Sequence, residues 1–300
     1  MDLKQIRYFI HVANFRSFNK AARALAIAQP ALSRHIQALE LELKTSLLHR
    51  TPQGVEPTQA GYMLLSRGET LLKDVEELRA AVARTVEHPS GDVTVGVPPS
   101  LSASLAPLIL DECRRACPDV VVRLIEGLSV FHVEWINLGR VDLAVLTTLA
   151  DPIRDLNDEE LFLEDMVLVA SRDFALRDRQ SLSLKEVAEL EVTTTHGFRA
   201  VIDPTAEAAG LKLRYTGTFD SIPIIKEILF EGRCVTILPY ALVVKERFAE
   251  ELPVLRITDP SPRRRVVIAH AASRVLSPAM KAVHEAVIVA SKHLTVSAPT

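Results

Sequence analysis

Aromatic side chains make up only 5% of this 300-residue chain, and cysteine occurs three times. No apolar stretch approaches the roughly 18 residues that a membrane-spanning helix requires. The three cysteines (Cys113, Cys117, Cys234) are an odd number with no second close pair to complete a metal site, and two thiols four residues apart make a poor zinc site. These cysteines therefore read as small buried residues, and no metal or cofactor is expected. The first residues, Met1-Asp2-Leu3-Lys4, carry charge where a signal peptide would be apolar, so the expectation is a cytoplasmic protein. Also missing are a G-x-S-x-G elbow, an H-E-x-x-H pair and a glycine-rich phosphate loop. A triad of His196, Ser221 and Asp220 is conceivable, but the chain does not read as an enzyme.

What is present is segregated. Residues 1–67 hold nine Lys and Arg against four acids, a charge of +5, and the net −3 leaves −8 for the remainder. A basic segment on an acidic body suggests one anion-binding module.

That segment reads as helices. Leu3, Ile6, Phe9, Ile10 and Ala13 recur at helical spacing. Ser17 suits an N-cap for a second helix whose inner face is Phe18, Ala21, Ala22 and Leu25. Pro30 fits the first turn of a third, where its missing N–H has no intrahelical partner. Leu32, Ile36, Leu39 and Leu43 form that helix's expected buried stripe, which turns Pro30, Ser33, Arg34 and Gln37 outward with Gln29 beside them. Arginine can take guanine bidentately and glutamine suits adenine, and the outer face has no acid. On these grounds alone the face reads equally well as solvated surface.

The order of residues adds to this. Ser17-Phe18-Asn19-Lys20-Ala21-Ala22-Arg23-Ala24-Leu25, then Gln29-Pro30-Ala31-Leu32-Ser33, Ile36, Leu39-Glu40, Arg50 and Thr58-Gln59-Ala60-Gly61 together resemble the LysR-type transcriptional regulators. The resemblance implies a winged helix-turn-helix with recognition helix 30–43 and a wing over 49–57. It implies DNA contacts from Ser17, Gln29, Pro30, Ser33, Arg34 and Gln37, with Arg50 and Thr51 in the wing. Two departures stand out. Lys44 replaces the glycine usual after the recognition helix, a strain if that turn needs positive φ, and Leu48 replaces a phenylalanine.

Residues 59–88 read as one long helix, with Leu64, Leu71, Val75, Leu78 and Val82 partly in heptad register. The pattern fits either a helix packed on its own domain or a seam between two chains. The resemblance implies dimers, and tetramers assembled from them. Pro89-Ser90-Gly91 ends the segment.

From Asp92 onward, β-branched runs at 93–97, 120–125, 141–146, 165–170, 191–195, 214–219, 234–238 and 266–270 alternate with helical segments, among them 105–117 and 278–293. Such runs suit parallel sheets covered on both faces. The fold class is thus α/β overall: an all-α winged helix-turn-helix (1–58), a linker helix (59–89) and a two-lobed α/β domain (90–300). Lobe 1 covers about 90–163 and 268–300, and lobe 2 about 164–267. The resemblance implies a periplasmic-binding-protein-like effector domain. Ligands of such folds sit outside strand carboxyl ends. There the sequence places Pro98, Ser100, Leu101 and Ser102, then Thr147 and Thr148, then Thr195, His196, Phe198 and Ser221. Each hydroxyl reads equally as a helix cap, and Arg199 reads as a solvent-exposed charge. Together the group suggests a small carboxylate effector. The expected partners are duplex promoter DNA, that effector, further copies of the chain and RNA polymerase, with no membrane. The competing reading is a small-molecule receptor or enzyme of α/β fold that does not bind DNA.

Overall fold

The structure is a computed structural model that describes residues 1–51, 54–83, 89–148, 153–174, 176, 179–232, 234–246, 248–294 and 296–298. The described residues divide into two compact units. The first is built on the elements up to residue 83 together with Asn137–Arg140, and the second on the rest.

In the first unit, α1 (Leu3–Phe15) opens on a capping box in which the Asp2 side chain accepts from the Gln5 N–H and Gln5 returns the bond. Ser17 caps α2 (Phe18–Ala24) by accepting from the Lys20 N–H. The next helix, α3 (Gln29–Leu43), carries proline in its first turn and ends where Lys44 adopts φ +53°, so the lysine does occupy the left-handed region that glycine favours. A hairpin of β1 (Leu48–Thr51) and β2 (Gly54–Pro57) follows, and α4 (Gln59–Ala83) closes the unit. The expected helix extends to residue 88, but 84–88 lie outside the described residues, as do Pro52 and Gln53 at the hairpin tip.

Phe9, Val12, Ala21, Ala22, Leu32, Ile36 and Leu39 form the core, with Leu64, Leu65 and Leu72 of α4 packed against it. One expectation fails here. Leu43 is 36% exposed, because α3 ends at that residue and the chain turns away, so the buried stripe stops at Leu39.

In the second unit, lobe 1 starts with β3 (Gly91–Val97), α5 (Pro99–Ala116), β4 (Val120–Glu126), α6 (Ser129–Asn137) and β5 (Leu143–Thr148). The 15-residue β6 (Leu156–Ala170) then crosses into lobe 2. That lobe contains β7 (Ser181–Ser183), α7 (Leu184–Ala188), β8 (Glu191–Thr194), α8 (His196–Ala208), β9 (Arg214–Thr218), α9 (Ile222–Phe230), β10 (Val235–Pro239), α10 (Tyr240–Lys245), α11 (Phe248–Glu251) and β11 (Val254–Thr258). Strand β12 (Arg263–Ala271) returns the chain to lobe 1, where α12 (Pro278–Ser291) packs against α5.

The sheet order is β4-β3-β5-β12-β6-β10-β8-β9, with β11 and β7 off this path. The sheet is mixed. Strands β3, β4 and β5 are parallel, as are β8, β9 and β10, but β12 runs antiparallel to both β5 and β6, and β6 antiparallel to β10 and β11. Each lobe has its own apolar core, one between α5, α12 and the strands of lobe 1, the other around β6, β8 and β10.

Candidate functional site

Helix α3 is the part of the first unit best suited to an extended anionic surface. Its buried face holds Leu32, Ile36 and Leu39, which leaves Pro30, Arg34 and Gln37 exposed and Gln29 and Ser33 half-buried. Among the described residues Lys20, Arg23 and Arg34 have no ion pair, so their charge is not offset within the unit. The helix has no side-chain cap at Ala28, so its positive end is open to an external acceptor. Ser17 is committed to capping α2. The side chains of Arg50 and Thr51 lie outside the described residues.

The hairpin is fixed beside α1. The Val55 N–H donates to the Arg16 carbonyl at 3.0 Å, and Gly54, at φ +136°, has room for no side chain because a Cβ would stand 2.5 Å from that carbonyl oxygen. On α4, Tyr62, Met63, Leu71 and Leu78 are exposed while Leu64 packs inward. Leu64 therefore belongs to the unit's own core rather than to the expected seam.

In the second unit a buried charge cluster marks where the lobes meet. Arg264 of β12 stands opposite Glu164 of β6, and Arg263 opposite Asp165. Arg264 and Glu164 are essentially unexposed, at 1% and 0%. The Arg264 Nε donates to Glu164 Oε2 at 2.7 Å, and Glu164 Oε1 accepts the Ala241 N–H of α10 at 2.8 Å. The Arg264 Nη1 donates to Ser100 Oγ at 2.8 Å, in the first turn of α5, and the guanidinium carbon lies 5.8 Å from the Phe198 ring centre, in the first turn of α8. One buried side chain thus touches the first turn of α5 in lobe 1 and the first turn of α8 in lobe 2, and the two turns approach each other across it.

Several expected ligand residues are already engaged within the protein. Pro98 N-caps α5 without a side-chain bond, and Leu101 is wholly buried in the lobe 1 core. Ser102 donates its hydroxyl to Glu126. Thr147 has its N–H on Ser129 Oγ at 3.0 Å and its hydroxyl 3.2 Å from the same oxygen, whereas the Thr148 side chain lies outside the described residues. Thr195 caps α8 by accepting from the Phe198 N–H at 3.1 Å. The His196 N–H donates to Asp220 Oδ1 at 3.2 Å, so this carboxylate serves the backbone rather than an imidazole, and the conceivable triad does not form through it. Ser221 caps α9 without a side-chain bond.

Arg199 is not a free surface charge. It pairs with Asp203 at 3.4 Å and lies 4.2 Å from the Tyr215 ring centre, and Tyr215 donates its hydroxyl to Asp203. Burial and that carboxylate together push the Tyr215 phenol above its ordinary range.

Sequence reasoning missed Arg264 and Glu164. The available signal was the pair of acids Glu164 and Asp165 and the run Arg263, Arg264 and Arg265 at the two positions where the chain crosses between lobes.

Comparison with known proteins matches residues 3–62 to the model of a bacterial regulatory helix-turn-helix protein of the lysR family and residues 87–290 to that of the LysR substrate binding domain. The nitrogen assimilation regulatory protein nac of Klebsiella aerogenes is 31% identical over 289 residues, covering 95% of this chain and 93% of that protein. A probable cat1 operon transcriptional activator of Acinetobacter lwoffii is 38% identical over 143 residues, 48% of this chain and 47% of its own length. Among solved structures, a full-length OxyR variant from Pseudomonas aeruginosa has a TM-score of 0.76 at 21% identity, covering 99% of this chain and 96% of that one. Full-length CbnR complexed with its target DNA has a TM-score of 0.60 at 21% identity, covering 97% and 100%. At these identities the two structures share the fold. On the family models and the full-length relatives together, the chain belongs to the LysR family and is a DNA-binding transcriptional regulator with an effector-binding domain.

Proposed function

We propose that the protein reads a promoter duplex with the outer face of α3 and that a small organic acid in the interlobe crevice sets its regulatory state. The observation that carries the first half is the exposed, acid-free face of Pro30, Arg34 and Gln37 on a helix whose positive end is uncapped. The N-terminal part of such a helix is the part that enters a major groove, with Arg34 and Gln37 offering base-edge donors and Gln29 and Ser33 flanking them. Arg50 and Thr51 of the hairpin supply backbone contacts in this reading. The exposed apolar residues Tyr62, Met63, Leu71 and Leu78 on α4 support a pairing surface for a second copy, and an operator with two-fold symmetry needs a dimer to read both halves. Two such dimers form a tetramer, the protein works in the cytoplasm where its operator is, and RNA polymerase is its further partner on the promoter.

Two helix N-termini converging on a buried guanidinium support an anionic effector. The two lobes respond by closing, and closure alters the spacing of the α3 helices. This requires the ligand to favour one lobe arrangement over the other.

The test is Arg34→Ala in the full-length protein, followed by fluorescence anisotropy on operator duplex and by thermal shift in a screen of small organic acids. The expected outcome is a loss of roughly 1–3 kcal/mol of duplex affinity with ligand response and melting temperature unchanged. Unchanged duplex affinity refutes the assignment of α3. A ligand that binds tightly yet leaves the DNase footprint and DNA bending untouched refutes the coupling.

A further inference from the structure

Among the described residues the chain passes between the lobes a third time. Strands β6 and β12 are the first two crossings. The third follows α12: Leu294 packs against the core of lobe 1, whereas Ala298 packs against the core of lobe 2. Val296 and Ala298 are half-buried and Ser297 is exposed, the alternation of an extended segment. All three crossings meet at Asp165 of β6. Its N–H donates to the Val296 carbonyl at 3.0 Å, and its Oδ2 accepts the Ala298 N–H at 3.1 Å. Its Oδ1 accepts from Arg263 Nε of β12 at 2.8 Å. The Asp165 side chain is only 15% exposed, so water competes weakly for these bonds.

Two adjacent strands make a hinge that bends by changing a few backbone dihedrals. The third crossing is of another kind. Residues 296–298 belong to no helix or strand, and Ala298 brings only a methyl group to the lobe 2 core, so the segment can leave that lobe without unfolding it. While it is seated, its ends are fixed in both cores. Ala298 is four residues beyond Leu294, a reach of at most about 14 Å, and this caps the separation of the two anchor points. We infer that residues 296–298 are a releasable latch, with Asp165 as its catch, that restricts rotation of one lobe against the other. The inference rests on the reading that the lobes move relative to one another. Because the same carboxylate holds Arg263, the catch lies on the hinge itself, and release of the segment loosens the residue at which the two strands cross.

The experiment uses the full-length protein without ligand. Spin labels at Lys281→Cys in lobe 1 and Lys212→Cys in lobe 2, both exposed positions, report the distance between lobes by double electron–electron resonance. Labelled chains are diluted among unlabelled ones, and the native cysteines are buried. Ala298→Pro removes the N–H that Asp165 accepts, Ala298→Gly keeps it, and deletion of residues 295–300 removes the latch altogether. Wild type and Ala298→Gly give one narrow distribution, whereas Ala298→Pro and the deletion give a broader one. In those two variants the Asp165 amide exchanges its hydrogen about tenfold faster, the loss of roughly one net hydrogen bond. Circular dichroism and cooperative melting are retained, since neither core loses a large side chain. Faster exchange with an unchanged distance distribution leaves a local brace only and overturns the inference, as does no change in either. Loss of cooperative melting overturns it too, because release then unfolds a lobe. Equal broadening in Ala298→Gly and Ala298→Pro overturns the role of Asp165. A released chain that broadens, binds propionate by calorimetry and keeps the same distribution upholds the latch and overturns lobe closure by a ligand.

Discussion

Gly61→Ala tests how α4 is joined to the DNA-reading unit. In an open helix this substitution stabilises, by about 1 kcal/mol, because glycine is the poorer helix former. At this position a Cβ would stand 2.1 Å from the Leu47 carbonyl oxygen and 3.0 Å from the Pro57 Cβ. An ordinary carbon–oxygen contact is longer by about 1 Å, and the obstructing atom is backbone that cannot rotate away. Leu47 is itself fixed, since its carbonyl accepts the Thr58 N–H at 2.9 Å and its N–H donates to Glu40 Oε1 at 2.8 Å. Thr58 Oγ1 donates to the Ser46 carbonyl at 2.7 Å and accepts from the Gly61 N–H at 3.1 Å. Moving α4 to admit a methyl group therefore strains several hydrogen bonds worth about 1 kcal/mol each and loosens Leu64 and Leu65 against the core, an overpacking cost of about 1–3 kcal/mol. After the helix-propensity gain, the net loss is about 2–3 kcal/mol. For a unit of this size that lowers the melting temperature by about 10–20 °C. Differential scanning calorimetry of the full-length protein, following the transition of the N-terminal unit, measures it. Gly68→Ala is the internal control. Its Cβ meets the Ile6 Cγ2 at 2.8 Å, a side chain able to yield, so its loss is the smaller. A Gly61→Ala protein as stable as wild type, or more stable, refutes the reasoning.

Three other outcomes are expected. His132 is wholly buried between Gly96, Gly127 and Trp135, and burial lowers its pKa, outweighing a backbone interaction at Ile125 that raises it. The unfolded chain then binds the proton first, so urea-measured stability of the second unit falls as pH drops below about 6.5. His132→Leu reduces that slope and leaves the part due to His284, whose pKa burial also lowers. Burial pushes the Cys113 thiol up to about 12 and Cys234 to about 11, so iodoacetamide labels them in urea but not in the native protein. Tyr215→Phe removes the hydroxyl that Asp203 accepts and costs about 1–2 kcal/mol of stability by denaturant titration, with operator affinity unchanged.

Which parts of the molecule were legible in the sequence follows from how local their determinants are. The face of α3 was legible because Pro30, Ser33, Arg34 and Gln37 are related by one helix's own period, and Ser17 because a cap lies within three residues of what it caps. Leu43 was misjudged because periodicity does not say where a helix stops. In the second unit the apolar runs located eight strands, but two faces buried look alike in sequence whether the neighbour is parallel or antiparallel, so the direction of β12 and β6 was not visible. Helix α5 starts six residues before the expected segment because the first turn, Pro99 to Ser102, is too poor in apolar residues to show the period. The short elements α6, α7, α10, α11, β7 and β11 have too few residues to display one.

The crevice was half legible, and the missing half alters its chemistry. Hydroxyls at helix N-termini were counted as ligand donors, yet Ser102 and Thr195 already bond within the protein, and Asp220 fills the first amide of α8. The buried pair of Arg264 and Glu164 was not legible, because the partners of Arg264 lie 100 and 164 residues away in the chain, beyond any sequence period. That placement matters for how the lobes are coupled. Glu164 ties the pair to the N-terminus of α10 in lobe 2, and Arg264 ties it to Ser100 in lobe 1. Any change that shifts this pair therefore acts on bonds to both lobes at once. A ligand held by hydroxyls of a single lobe has no comparable means of preferring one lobe arrangement over the other, and without such a preference no amount of binding energy moves the equilibrium.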